Sequence, residues 1–323
     1  MRVTGAGENG SKPRVSVVVP ARNESSRIEA CLRSILAQEA PGGLEVIVAD
    51  GASSDATAVL ARAAGARVVD NPRGITPAGL NRALAAARGD VIVRFDAHAE
   101  MPPGYVAACL RALDEEPGAV NVGGWRDARG DGPWARATGA ALASRFGVGN
   151  PRIWRRPANG ARRVDVDTVP LGAWRTDALR RAGGWDEEFV RNQDFELNHR
   201  LRTRGGRVVF DPAIWSVYHP RESLRALARQ YWEYGLFKAR MLREDPSSLQ
   251  PRQLAPVGLL AALLLSFGPR PVARPARAAL LLYLLVLSGV AARGKGGWRT
   301  VPVLATMHVT WVAGLLRGLA RRD

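Results

Sequence analysis

The chain has 323 residues, 46% of them hydrophobic, so it can form a sizeable core and is not globally disordered. Its two cysteines, Cys31 and Cys109, exclude a disulfide framework, and no Cys/His cluster has zinc-site spacing. The net charge is +16, and ten Lys and Arg against one acid from Arg252 onward supply nine of these charges. Because these basic residues flank apolar segments, they favour an anionic membrane surface over nucleic acid as the partner.

The first half of the chain alternates between short β-branched runs and segments of helical periodicity. Residues 1–12, which precede it, are polar and glycine-rich, lack a signal-peptide pattern and are expected to form a flexible leader. The alternation predicts a parallel sheet with helices on both faces, as in Rossmann-like nucleotide-binding domains. Strands are predicted at 15–19, 45–49, 67–69 and 91–95, and helices at 25–38, 55–64 and 76–87.

The glycine-rich signatures of dinucleotide and P-loop sites are absent from the sequence, so nucleotide recognition would depend on side chains at the strand ends. The carboxyl ends of parallel strands are where α/β proteins bind ligands. Asp96-Ala97-His98 follows the fourth strand, and its Asp and His can share one divalent ion that keeps positions open for substrate phosphates. A turn with polar residues is the alternative interpretation of this tripeptide.

Regular periodicity weakens in the middle of the chain and then returns. Residues 121–173 are rich in glycine and arginine, which is typical of a substrate-facing loop region. A helix is predicted at 194–204 and a strand at 207–210. A long amphipathic helix at 223–242 follows, either as an interfacial helix or as a helix packed on the domain edge.

The last region, 243–323, contains three apolar segments at about 254–268, 278–292 and 301–317. Each is shorter than the roughly 20 residues that span a bilayer comfortably, although flanking Arg and Lys side chains can snorkel and extend them. We expect membrane-associated helices here. A helical subdomain in water is the alternative.

Four motifs in this order resemble those of the family 2 glycosyltransferases of the GT-A fold, most of all the exopolysaccharide glucosyltransferases of the succinoglycan type. They are VVVPARNE at 17–24, VADGASSD at 48–55, RFDAHA at 94–99 and NQDFELN at 192–198. The resemblance implies a GT-A nucleotide-sugar-binding domain at 13–242 and a metal-dependent, inverting hexosyltransferase that uses UDP-glucose.

The resemblance also implies roles for residues on the donor side. Asp50 would accept the imide N–H of uracil, with an Asx turn as the alternative role. Further nucleotide-binding candidates share positions near the strand ends or on the third helix; they are Pro20, Arg22, Glu24, Asn81 and Asp96.

Metal and acceptor chemistry would involve a second set of residues. Asp96 and His98, in place of the Asp-x-Asp of most relatives, would hold Mn²⁺ or Mg²⁺. His219 is a further candidate ligand, with a core histidine as the alternative. Asp194 would be the general base that deprotonates the acceptor hydroxyl, in a Gln-Asp pair where relatives have Glu-Asp, with a helix N-cap as the alternative role.

The predicted partners are a nucleotide-sugar donor, a lipid-linked saccharide acceptor, the membrane and other polysaccharide-assembly proteins, with no nucleic acid. Arg229, Trp232 and Lys238 are candidates for contact with the acceptor and its lipid diphosphate. The catalytic domain is expected at the cytoplasmic face of the cell membrane. The alternatives are a polyprenyl-phosphate glycosyltransferase and a non-catalytic scaffold that binds glycans or nucleotides.

Overall fold

The computed structural model describes residues 13–147 and 151–320, which form two compact units. Unit 1 combines residues 13–127 with Arg156–Val217, and unit 2 combines Ala128–Arg155 with residues 218–320. The predicted leader, 1–12, lies outside the described residues.

One eight-stranded sheet, with strand order β3-β2-β1-β4-β7-β5-β8-β6, is the framework of unit 1 within the described part of the chain. The strands are β1 Val15–Ala21, β2 Leu44–Asp50, β3 Arg67–Asp70, β4 Val91–Arg94, β5 Ala119–Ala128, β6 Val164–Asp165, β7 Ala173–Arg175 and β8 Arg207–Tyr218. The first four strands are parallel, as expected, but β7 is antiparallel to both β4 and β5. The parallel arrangement predicted from the first half of the chain is therefore confirmed for β1 to β4, and the antiparallel pairing of β7 makes the whole sheet mixed.

The helices follow the strands in the predicted alternation through the first half of the chain. They are α1 Ile28–Leu36, α2 Thr57–Ala63, α3 Thr76–Ala86, α4 Tyr105–Glu115, α5 Pro133–Ala143, α6 Thr176–Arg181, α7 Gln193–Thr203, α8 Leu224–Glu244, α9 Leu254–Leu265, α10 Arg270–Arg293 and α11 Thr300–Ala320. The predicted loop region 121–173 contains most of β5 and all of α5, so its interpretation as irregular chain is wrong there.

Successive side chains of β1 enter two different cores, which explains why this strand is apolar on both faces. Val17 and Val19 pack in the cluster that contains Ile28 of α1. Val18 packs in the other cluster, with Leu80 of α3. The sheet of unit 1 is thus covered by helices on both sides, and its strand ends remain available for a site.

Unit 2 is held together by close packing of α8 on α11, in which glycines allow the two backbones to approach. A Cβ at Gly235 would overlap the backbone oxygen of Trp311, and one at Gly314 would overlap that of Trp232. The predicted domain 13–242 includes α8, whereas the contacts of α8 place it with the C-terminal helices.

Two C-terminal helical stretches, Arg270–Arg293 and Gly297–Ala320, are long and apolar enough to cross a membrane by length and composition. α10 extends well before the predicted segment 278–292, because its arginines continue the helix and its proline in the first turn is compatible with a helix start. α10 exposes four leucines, which are Leu281, Leu282, Leu284 and Leu285. α9 has 12 residues and is too short to span a bilayer.

Candidate active site

The loops that follow β1 and β2 are joined by side-chain hydrogen bonds. Asn23, with a φ of 55°, accepts the N–H of Ser54 at 2.8 Å, and its own N–H donates to Ser53 Oγ at 3.0 Å. The N–H of Glu24 donates to Thr57 Oγ1 at 2.8 Å. These bonds make the carboxyl ends of the two strands a single, well-defined edge.

Asp55 completes this junction and has the structural role that its position before α2 indicates. Its carboxylate accepts the N–H of Ser25 at 3.1 Å and the N–H of Thr57 at 3.0 Å. The Thr57 hydroxyl, which also donates to it, holds the pKa of Asp55 well below its usual range. Asp55 therefore precedes the N-cap residue of α2, Ala56, and its carboxylate is occupied by the protein itself.

Asp50, the last residue of β2, has one satisfied and one unsatisfied carboxylate oxygen. Oδ2 accepts the N–H of Ser53 at 3.1 Å, whereas Oδ1 is buried without a hydrogen-bond partner among the described residues. An unpaired buried acceptor costs free energy, so this oxygen is suited to receive a donor from a ligand.

Arg22 and Pro20 lie beside Asp50 at the same edge. Gly51 packs so closely that a Cβ there would lie 3.2 Å from both the Ala21 oxygen and Arg22 Cβ. The Arg22 guanidinium reaches the carbonyl of Gly74 at 3.4 Å and is exposed. Pro20 lies within the β1–β2 ladder, opposite Ala49. The structure thus brings Pro20, Arg22 and Asp50 together.

Arg94, at the end of β4, joins two carboxylates that are far apart in the sequence. Its side chain is only 7% exposed. Nη2 donates to Asp96 Oδ1 at 3.0 Å, and Nη1 donates to Asp194 Oδ2. Sequence reasoning missed this residue, although an arginine in an otherwise apolar strand is a signal because a buried charge needs a partner.

Asp96 and His98 lie with Glu24 at the carboxyl ends of β1 and β4. His98 Nδ1 is 3.4 Å from Glu24 Oε1, and the His98 side chain is half exposed. Burial alone would raise the pKa of Asp96, but the charges of Arg94, His98 and Arg126 outweigh burial and lower it. Asp96 is therefore ionised at neutral pH, as a metal ligand must be.

The possible metal ligands at this edge suit a cation that takes its remaining ligands from a substrate. No group of three or more His, Cys, Asp or Glu side chains that could hold an ion occurs in the described residues. Asp96 and His98 would supply two ligand atoms, and Arg94 donates to Oδ1 of Asp96. A Mg²⁺ or Mn²⁺ ion that binds through one or two protein groups takes its other ligands from phosphates and water.

Asp194 lies in the first turn of α7, where a carboxylate is favoured by the helix dipole. The helix begins after Asn192, which has a φ of 60°. Asp194 Oδ1 accepts the indole N–H of Trp185 at 3.3 Å, while Oδ2 accepts from Arg94. Its side chain remains 19% exposed, and two donors, the Trp185 indole and the Arg94 guanidinium, orient its carboxylate.

Asn81 uses its amide to hold the turn that carries Trp185. Nδ2 donates to the Trp185 carbonyl at 2.8 Å and to Glu187 Oε1 at 3.1 Å, and Oδ1 accepts the Trp185 N–H at 2.9 Å. Gly184, with a φ of 72°, lies so close that a Cβ would overlap Asn81 Oδ1. Asn81 thus supports Trp185, a structural role in addition to its predicted role in nucleotide binding.

Glu196 and Arg200, one turn apart on α7, form an ion pair at 2.7 Å whose side chains are largely buried. Arg200 also donates to the carbonyl of Gly184 at 2.9 Å and to that of Ala182. It therefore fastens α7 to the same turn that Asn81 holds.

The remaining candidates lie in unit 2. His219 is exposed directly after β8, and Arg229 and Trp232 are exposed one turn apart on α8. Lys238 is buried, and its Nζ donates to the Ser248 carbonyl at 2.6 Å. Burial lowers the pKa of Lys238 to about 8. Because its ammonium is used inside the unit, we do not keep Lys238 in the proposed acceptor contact.

A sheet that is covered by helices on both faces and carries carboxylates at its strand ends is the architecture of glycosyltransferase domains of the GT-A class. Residues 16–174 match the family model described as Glycosyl transferase family 2, so the chain contains a domain of that family. The predicted family and fold are therefore confirmed.

Individual relatives extend this likeness over nearly the whole chain. The succinoglycan biosynthesis protein ExoA of Rhizobium meliloti (strain 1021) is 29% identical over 94% of each chain. The Methanococcus voltae dolichyl N-acetyl-alpha-D-glucosaminyl phosphate 3-beta-D-2,3-diacetamido-2,3-dideoxy-beta-D-glucuronosyltransferase is 24% identical over 77% of this chain and 80% of that protein. The mannosyltransferase PcManGT from Pyrobaculum calidifontis, solved with GDP-Man and Mn²⁺, shares the fold with a TM-score of 0.65 at 21% identity, covering 100% of this chain and 92% of that one.

Proposed function

We propose that this protein is a membrane-associated, inverting glycosyltransferase that moves a hexose from a nucleotide sugar, UDP-glucose first among them, to a lipid-linked saccharide. The product would be an exopolysaccharide or another cell-envelope glycan. The observation that carries the proposal is that Arg94 binds both Asp96 and Asp194. This contact brings the carboxylate proposed for the nucleotide-sugar site next to the carboxylate proposed as the general base.

Donor binding is assigned to the edge formed by β1 and β2. The unpartnered Oδ1 of Asp50 supports a ligand with an N–H donor, such as the imide of uracil. Arg22 would add positive charge near the diphosphate, and Glu24 would accept a ribose hydroxyl. This assignment favours UDP sugars over donors whose base lacks an imide N–H.

Asp96 and His98 would hold Mn²⁺ or Mg²⁺, and the ion would offset the charge that develops on the leaving diphosphate. Because His98 replaces a carboxylate, this site has one negative charge fewer than an Asp-x-Asp site. Imidazole is also a softer ligand, so we expect a preference for Mn²⁺ over Mg²⁺. His219 in unit 2 is a secondary candidate.

Asp194 would take the proton of the acceptor hydroxyl as that oxygen attacks the anomeric carbon. Arg94 and Trp185 hold the carboxylate in one orientation, as a positioned base requires. One direct displacement of this kind inverts the anomeric configuration.

Acceptor binding and membrane association are assigned to unit 2. Arg229 and Trp232 on the exposed face of α8 would meet a phosphate and a sugar ring of the lipid-linked acceptor. The leucines exposed on α10 support contact with lipid, and we place the catalytic unit on the cytoplasmic side. The name of the Methanococcus relative, a dolichyl-linked sugar transferase, supports a lipid-linked acceptor.

The proposal is tested by thermal-shift screening of nucleotide sugars with and without Mn²⁺, followed by transfer assays. We expect UDP-glucose with Mn²⁺ to give the largest shift and Asp50→Asn to weaken it. Asp194→Asn should lower turnover by several orders of magnitude while UDP binding persists. If Asp194→Asn retains turnover, the acceptor is a group that needs no deprotonation, such as a polyprenyl phosphate. Binding without any transfer across an acceptor panel would instead indicate a scaffold.

A further inference from the structure

Arg94 is the one charged residue of a strand whose neighbours are completely buried. Val93 and Phe95, on either side, are 0% exposed, and Arg94 itself is 6% exposed. A guanidinium in such a place is tolerated only where anions pair with it. Its two terminal nitrogens each bind one carboxylate, Asp96 on the same strand end and Asp194 on α7.

We propose that Arg94 is a positioning residue for glycosyl transfer, whose guanidinium sets the separation and orientation of Asp96 and Asp194. This inference rests on the proposed function. The planar guanidinium offers donors in fixed directions, so two carboxylates bound to it take up a defined relation to each other. Its charge also separates two anions that would otherwise repel each other across the site.

The backbone of Arg94 gives this arrangement a firm base. Arg94 lies opposite Val18 in the β1–β4 ladder, and its backbone N–H donates to the Gly172 carbonyl at 3.2 Å. Asp194 is held from the other side by the Trp185 indole. Asp194, the proposed base, is therefore held by Arg94 from the sheet and by Trp185 from the turn that follows α6.

The decisive experiment is a double-mutant cycle of Arg94→Lys with Asp194→Asn, with kcat and the donor KM measured for full-length protein in detergent. Lysine keeps the positive charge but lacks the planar guanidinium that can bind two carboxylates in fixed directions. We expect Arg94→Lys alone to lower kcat about 100-fold, as a misplaced base does. In the Asp194→Asn background the same change should lower kcat less than about threefold, because no base remains to be positioned.

Arg175→Lys is the matched control. Arg175 lies on the adjacent strand β7, and its guanidinium donates to the backbone carbonyls of Ala119 at 2.9 Å and Leu113 at 2.6 Å. Its replacement also removes guanidinium hydrogen bonds, but it should leave kcat within about threefold and combine multiplicatively with Asp194→Asn.

A second variant and a binding measurement separate positioning from folding. Arg94→Gln, checked by its melting temperature, should repeat the kcat loss, and calorimetry should show weaker Mn²⁺-dependent UDP binding because Asp96 is no longer held. If the losses from Arg94→Lys and Asp194→Asn multiply, or Arg94→Lys is as active as wild type, Arg94 is not a positioning residue and the proposed function stands. If Asp194→Asn keeps wild-type kcat, the base assignment and this inference both fail.

Discussion

Asn81, inside α3, has side-chain hydrogen bonds that support a neighbouring turn of the candidate site. The sequence places it on the helix after β3, at the position that suggests nucleotide contact. In the structure its three hydrogen bonds go to Trp185 and Glu187, and Trp185 in turn binds Asp194. We therefore predict that Asn81 acts through Trp185 on the proposed base, Asp194, and not on the nucleotide sugar.

Replacing Asn81 by leucine should consequently separate kcat from donor affinity. We expect kcat to fall about tenfold as the Trp185 turn loosens, and the KM for the nucleotide sugar to stay within about twofold. Steady-state kinetics at varied donor concentration measure both. A rise in donor KM with unchanged kcat would instead return Asn81 to the nucleotide site.

Lys238 gives a residue-scale prediction about pH. Its pKa is about 8 in the folded protein against an ordinary value of 10.5, because burial disfavours the charged form. Between these pH values the unfolded chain binds a proton that the folded chain has released, so stability rises with pH across this window.

The variant Lys238→Met lacks this pH-dependent contribution. We expect the melting temperature of the wild type, relative to that of Lys238→Met, to increase from pH 7.5 to pH 10. Differential scanning fluorimetry of both proteins in the same detergent gives the comparison. A constant difference across this range would show that folding does not lower the pKa of Lys238.

At the scale of elements, the contact between α8 and α11 depends on small residues at facing positions. Gly235 of α8 lies against Trp311, and Gly314 and Gly318 of α11 lie against Trp232 and Ala239. Such contacts gain dispersion energy from close backbones, and they tolerate little added volume.

Gly314→Leu should therefore destabilise unit 2 by at least about 1–3 kcal/mol, the usual cost of overpacking. The matched control is Gly258→Leu on α9, where a Cβ would meet no atom within 4 Å. Melting temperatures of the two variants in detergent provide the test. Equal stability of Gly314→Leu and Gly258→Leu would mean that the α8–α11 contact is not tightly packed.

The elements that could be predicted from sequence are those whose signal is local. β1, β2 and β4 are β-branched runs with both faces buried, and they were located within two residues. β7 has three residues and its role depends on pairing with β4 and β5, so no window of sequence reveals it. α5 consists largely of alanine and glycine and lacks an apolar stripe of large side chains.

The candidate site likewise contains residues that local motifs predict and contacts that depend on the fold. Asp50, Asp96 and Asp194 stand in local motifs, and each was named from the sequence. The pairing of Arg94 with Asp194 spans 100 positions, so it depends on how α7 lies over the sheet. The use of Asn81 and Lys238 by the protein itself also required knowledge of their neighbours.

At the scale of the whole molecule, charge and exposed apolar surface both belong to the C-terminal part of the chain. The leucines of α10 are exposed, with Leu285 at 68%, and basic residues flank the apolar segments. Together they predict binding to anionic bilayers through apolar insertion and electrostatic attraction.

We expect the full-length protein to bind vesicles with phosphatidylglycerol more strongly than neutral vesicles, with only partial release by high salt. Leu282→Glu combined with Leu285→Glu should reduce binding at least tenfold, since charged residues are disfavoured within the bilayer. Val59→Glu, at a position 66% exposed in unit 1, is the control and should bind as the wild type does. Flotation assays measure all three. Equal flotation of the Glu variants would exclude α10 as the inserted element.

The division of the chain into two units also has a consequence for the order of synthesis. The ribosome makes α5 between β5 and β6, yet the buried partners of Ala137 and Ala141 of α5 include Leu227 and Val303, which are made much later. Unit 1 can complete its sheet as soon as β8 has emerged, whereas α5 must wait for α8 and α11. During translation a folded catalytic sheet would thus precede a finished helical unit, and α5 would be the segment most exposed to chaperones and proteases.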